Sequence, residues 1–120
     1  MNRPLRITTV VLGTLLGVWF LLAGSQKFLS APMFEAMFEG LSLPLALVPV
    51  IGVVEIGAAL LALWPRTSLY GSSLIVLVML GAVGSHLAAG QGPPGAALVA
   101  LVMAGSVMLV RLRERADSRG

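Results

Sequence analysis

Three ionisable side chains stand inside otherwise apolar stretches of this chain: Lys27, Glu55 and the single histidine, His86. Glu55 lies eight residues before Leu63, the end of its apolar run, hence ~12 Å inside a bilayer at 1.5 Å per residue. An ionised carboxylate at that depth is costly. It is therefore a proton-exchanging or ligand-binding group, or else a protonated acid hydrogen-bonded to neighbouring helices, with Thr14 and Ser106 at similar depths. Lys27 falls ~30 Å along its run from Ile7, and His86 ~27 Å along its own from Ser68. With Gln26 and Ser85 beside them in sequence, they form a second polar layer that opens outward above Glu55. The plainer alternatives are a lysine that snorkels to headgroups and an interfacial imidazole with a local partner. On straight helices a direct Lys27–Glu55 salt bridge is too long, although Pro49 offers a bend or an unwound start to the second run.

Other chemistry is excluded by what the chain lacks. Without Cys there is no thiolate catalysis, disulfide or Cys-ligated metal. One His excludes an all-protein His cluster and bis-His haem within one chain, and no metal site is expected. The glycines make neither a P-loop nor a dinucleotide fingerprint, because no strand precedes them.

The elements that must position the polar residues follow from composition. Of 120 residues 58% are hydrophobic and 11% charged, and mean hydropathy is +0.98. A soluble domain carries about a quarter of its residues as charges, so the solvent for this chain is a lipid bilayer. A helix needs ~20 apolar residues to cross it, and four runs meet that demand, at about 7–27, 45–63, 68–88 and 95–111. The expected fold is all-α, a four-transmembrane-helix bundle forming a single membrane domain over 1–112. A disordered, Arg-rich, cytoplasmic tail follows at 113–120. Trp64-Pro65-Arg66 and Gly90-Gln91-Gly92-Pro93-Pro94 are turns, with Trp64 and Tyr70 at headgroup depth.

Between the first two runs, Met33, Phe34, Met37, Phe38 and Leu41 share one helical face, and Glu35 and Glu39 take the other. This predicts a short amphipathic helix in the interface. Phe28, Phe34 and Phe38 form an aromatic belt that can also wall a lipid-soluble ligand. Seven Arg residues fall on the side shared by both termini, and Lys27 is the lone base opposite. The positive-inside rule puts both termini in the cytoplasm and argues against dual topology. This basic edge is a membrane-surface feature, with no nucleic-acid partner implied. A competing reading takes 1–25 as a signal peptide, with Ala23-Gly24-Ser25 at its cleavage site, but the apolar run is long for that role.

Lipid provides no hydrophobic drive between helices, so small residues must let them approach. Gly13, Gly17 and Gly24 line one face of the first span, Gly52 and Ala59 flank Glu55 in the second, and Gly81 and Ser85 pair in the third. Packing within one bundle is the favoured use of these faces, with a dimer seam as the alternative.

Two segments carry a family resemblance. Leu22-Ala23-Gly24-Ser25-Gln26-Lys27-Phe28 closes the first span, and Gly52-Val53-Val54-Glu55-Ile56-Gly57 precedes Leu60-Leu61-Ala62-Leu63 and Pro65-Arg66-Thr67. Together they resemble the DoxX-like family of small four-helix membrane proteins over about residues 7–110. By matching positions the resemblance makes Lys27 and Glu55 family-typical, with His86 a looser match. It implies an inner-membrane bundle linked to redox chemistry. Some relatives belong to thiosulfate:quinone oxidoreductases, some associate with enzymes of thiol and superoxide metabolism, and others act in membrane assembly.

The first functional expectation is therefore an accessory subunit of a membrane redox system, partnered by a membrane or soluble oxidoreductase. A quinone would be held near Gln26, Lys27 and His86, with Glu55 as proton relay. The second is a non-catalytic scaffold or assembly factor, docking through its small-residue helix faces, Gly13 and Gly17 among them, and through the amphipathic outer segment. The third is a small proton-coupled transporter.

Overall fold

Asn2 and Pro4 are helix-starting residues, and they open the first element as such: the Asn2 side chain accepts from the Leu5 N–H at 2.8 Å. The computed structural model describes residues 2–92 and 94–119, so Pro93 of the expected second turn lies outside the described residues. The described chain forms five helices and no strand: α1 (Arg3–Leu29), α2 (Ala31–Gly40), α3 (Leu47–Leu63), α4 (Ser68–Ala88) and α5 (Gly95–Arg119). By length and composition α1, α4 and α5 can each cross a bilayer, and α3 is a shorter apolar helix of 17 residues.

Two expectations about helix ends need correction. Pro49 does not unwind the second span. It sits in the first turn of α3, where the backbone N–H that proline lacks has no intrahelical acceptor. The segment after Leu112 is not irregular, because α5 continues to Arg119. Arg111 Nη1 donates to Glu114 at 2.9 Å one turn on, and Arg115 donates to the Tyr70 hydroxyl at 3.1 Å with its guanidinium over that ring. These contacts hold the last turns in helical form.

α3 lies between α1 and α4, α4 packs on α5, and α1 makes a smaller contact with α5. The core is built from Leu16, Phe20, Ala58, Ala59, Ile75, Ala100 and Ala104. Leu15, Val18, Leu77, Val102 and Leu109 are exposed. Apolar side chains thus occupy both inner and outer faces, the pattern of helices surrounded by lipid.

α1 and α3 are antiparallel and close. A Cβ on Gly13 would lie 3.3 Å from the Ala62 carbonyl oxygen, one on Gly17 3.0 Å from that of Ala59, and one on Gly24 2.8 Å from that of Gly52. Gly13, Gly17, Gly24, Gly52 and Ala59 therefore meet in one intramolecular seam. The expected Gly81 and Ser85 seam on α4 is not formed: a Cβ on Gly81 would meet nothing within 4 Å, and both residues line a cavity. The close approach of α4 is made by Gly71, where a Cβ would come within 2.6 Å of the Ala58 carbonyl oxygen.

Candidate functional site

The α1–α3 register sets up an ion pair. Lys27 Cβ lies 3.2 Å from where a Cβ on Gly52 would stand. Glu55 is three residues further along α3, ~4.5 Å along the axis, well within reach of a lysine side chain. Direction completes the match. Side chains lean toward the N-terminus of their own helix, so in this antiparallel pair Lys27 leans inward and Glu55 leans outward. Lys27 Nζ meets Glu55 Oε1 at 2.5 Å. The direct pair judged too long from straight-helix heights therefore forms, with Pro49 inside the helix. Height alone omitted the side-chain tilt and the close approach that Gly24 and Gly52 permit.

The pair is buried: the Glu55 side chain is 3% exposed and that of Lys27 10%. Glu55 Oε1 makes no hydrogen bond beyond its contact with the ammonium. Lys27 Nζ also lies 4.6 Å from the centroid of the Phe34 ring on α2, a cation–π contact. One ammonium thus ties α1 to α2 and α3.

The pair stands on the wall of a cavity of about 330 Å³, in the range of small-ligand pockets. Phe34, Met37, Phe38 and Leu41 cover it from α2 and its C-terminal turn. Leu43, Leu47 and Ile51 lead along one side to Glu55, and Val78, Met79, Gly81, Ala82, Ser85 and His86 close the α4 side. Apolar walls with a few convergent polar groups suit an amphiphile with a small polar head. Chemically, the arrangement offers an adjacent base and acid between which a proton can move, together with ammonium donors for an oxygen acceptor.

The structure brings Lys27, Glu55 and His86 to this one cavity, with Ser85. Gln26 is not among its walls. It is exposed and accepts from the Ser30 hydroxyl at 3.0 Å, because one residue along a helix rotates the side chain by about 100°. Nor do Thr14 and Ser106 serve Glu55. Each hydroxyl bonds the carbonyl one turn back in its own helix, to Val10 and Val102, on an exposed surface. The His86 Nδ1 is 2.8 Å from the Ala82 carbonyl oxygen.

Sequence reasoning missed the walls supplied by Leu43, Leu47, Ile51, Val78, Met79 and Ala82. A signal existed: Leu47 and Ile51 precede Glu55 at intervals of four, one helical stripe leading to the acid. Gly71 was also missed, since nothing in its sequence neighbourhood separates it from the other glycines of a wholly apolar helix.

The sequence model of the DoxX-like family matches residues 11–114. No curated protein and no solved structure matches the chain.

Proposed function

The chain belongs to the DoxX-like family, and from that premise we propose that it is a quinone-binding accessory subunit of a membrane redox system. It is a multi-pass membrane protein. In this reading α3 serves as the fourth span, since its 17 residues are ~26 Å long and approach the hydrocarbon thickness. The Arg-rich ends lie in the cytoplasm and the membrane is the inner one.

The observation that carries the ligand reading is a buried ion pair on the wall of an otherwise apolar cavity. A packing role alone gives the pair no need of open space beside it. A quinone, when bound, supplies two-electron, two-proton chemistry that a chain without Cys does not provide itself. The residues present fit such a group. Lys27 donates toward a head-group oxygen, Phe34 and Phe38 offer flat faces, and the Leu41, Leu47 and Ile51 side suits an aliphatic tail. Glu55 holds the ammonium in place and exchanges its proton.

The scaffold alternative rested on the amphipathic outer segment and on small-residue helix faces such as that of Gly13 and Gly17. Those positions face α3, which leaves less of that surface for a partner. The transporter alternative rested on a lone membrane acid exchanging protons for cations, and Glu55 already holds a cation, the Lys27 ammonium.

The test is mass spectrometry of a solvent extract from protein purified gently from its native membrane. Quinone near one-to-one stoichiometry is expected from the wild type, falling at least tenfold in Lys27→Ala and Glu55→Gln. Undiminished quinone in both variants, or none in the wild type with no binding on addition, removes this reading.

A further inference from the structure

We propose that the cavity prefers the reduced, hydroxyl-bearing form of a lipid-soluble benzoquinone over its oxidised form, with Glu55 and His86 as the residues that set the preference. This rests on the quinone-binding reading and deepens it, because it follows from which hydrogen-bonding roles the walls leave open.

The two redox forms differ in hydrogen-bond character. The oxidised ring offers only carbonyl acceptors, whereas the reduced ring offers two O–H donors that also accept. The buried wall offers fewer free donors than acceptors. Of the three N–H groups of Lys27 one is spent on Glu55 at 2.5 Å, and Nζ also lies over the Phe34 ring, so at most two remain for a head-group oxygen. The His86 Nδ1 stands 2.8 Å from the Ala82 carbonyl oxygen. A carbonyl only accepts, so the contact places a hydrogen on Nδ1, and in the Nδ1–H tautomer Nε2 is an acceptor.

Acceptors are in surplus. Glu55 carries two carboxyl oxygens, and Oε1 receives no hydrogen bond beside the ammonium contact. Ser85, the hydroxyl on the α4 wall, can adapt to either role. A head group that brings its own donors satisfies these acceptors, and one that brings only acceptors leaves them buried without partners. A polar group left unsatisfied in that way typically costs a site tenfold or more in affinity.

The experiment is calorimetric titration of the full-length protein in lipid nanodiscs, without oxygen, against a decyl-substituted benzoquinone and against its hydroquinone. Empty nanodiscs correct for partitioning. The hydroquinone is expected to bind about tenfold more tightly. Glu55→Gln replaces an acceptor oxygen with an amide donor, and His86→Leu removes an acceptor; each should narrow the ratio to about threefold or less. Equal affinity of the wild type for both forms, or tighter binding of the quinone, overturns the preference while the quinone-binding reading stands. A preference that survives in both variants overturns the assignment to Glu55 and His86. Binding of neither form removes both readings together.

Discussion

Gly71 and Gly81 lie ten residues apart on the same helix and do opposite things. A Cβ on Gly71 would lie well inside van der Waals contact of the Ala62 backbone nitrogen, with the Ala62 Cα 2.9 Å away. A Cβ on Gly81 would meet nothing within 4 Å. Around Gly71 the facing residues of α3 are Ala58 and Ala62, and α4 touches main chain. Around Gly81 the α3 side is Leu47, Ile51 and Glu55, and a cavity stays open. One end of the bundle is closed by backbone contact, while the other is braced by the Lys27–Glu55 pair and covered by α2. In lipid, where apolar burial supplies little drive between helices, close packing at one end lets the other end stay open enough to bind.

The sharpest way to break this contrast is to remove the brace. Lys27→Ala leaves Glu55 buried without its cation, and loss of one partner of a buried pair costs about 3–5 kcal/mol. The double replacement Lys27→Met with Glu55→Leu should recover most of that loss, since an apolar pair carries no desolvation penalty. Thermal unfolding in detergent measures both. A single variant as stable as the wild type would mean that the outer half is held by something other than the pair.

The closed end responds next. Gly71→Ala is expected to cost about 1–3 kcal/mol, because the atoms in the way belong to the α3 backbone and α4 must shift as a unit. Gly17→Ala should cost less. Its nearest contacts, at 2.6 and 2.7 Å, are Cδ2 and Cγ of the Leu63 side chain, which can change rotamer, and the Ala59 carbonyl oxygen is 3.0 Å away. Equal costs at the two positions would show that α1 and α4 approach α3 with the same tolerance.

How legible this was in the sequence depended on which solvent did the specifying. The bilayer dictates length and hydropathy, so α1, α4 and α5 could be read from their apolar runs, and α2 from its Met33–Leu41 stripe against Glu35 and Glu39. Register could not be read in the same way. When every face of a helix is apolar, periodicity does not say which glycine meets which partner, so Gly71 stayed hidden and Gly81 was given a seam it does not make. Lys27 and Glu55 drew notice as charges in apolar runs, but counted heights kept them apart. What closed the gap was the opposed lean of side chains on antiparallel helices. Gln26 failed for a related reason: adjacency in sequence is separation around a helix.

The mildest test carries the comparison in its sign. Gly81→Ala introduces a methyl group where nothing lies within 4 Å, so it meets no overpacking penalty. Alanine in a helix interior is favoured over glycine by about 0.5–1 kcal/mol, since glycine gives up more backbone freedom on folding. The same substitution that destabilises at Gly71 should therefore stabilise slightly at Gly81, raising the midpoint of thermal unfolding in detergent. A destabilisation at Gly81 equal to that at Gly71 would mean that α3 and α4 are closed along their whole length in the membrane. The open cavity at the Lys27–Glu55 wall would then no longer distinguish the two ends.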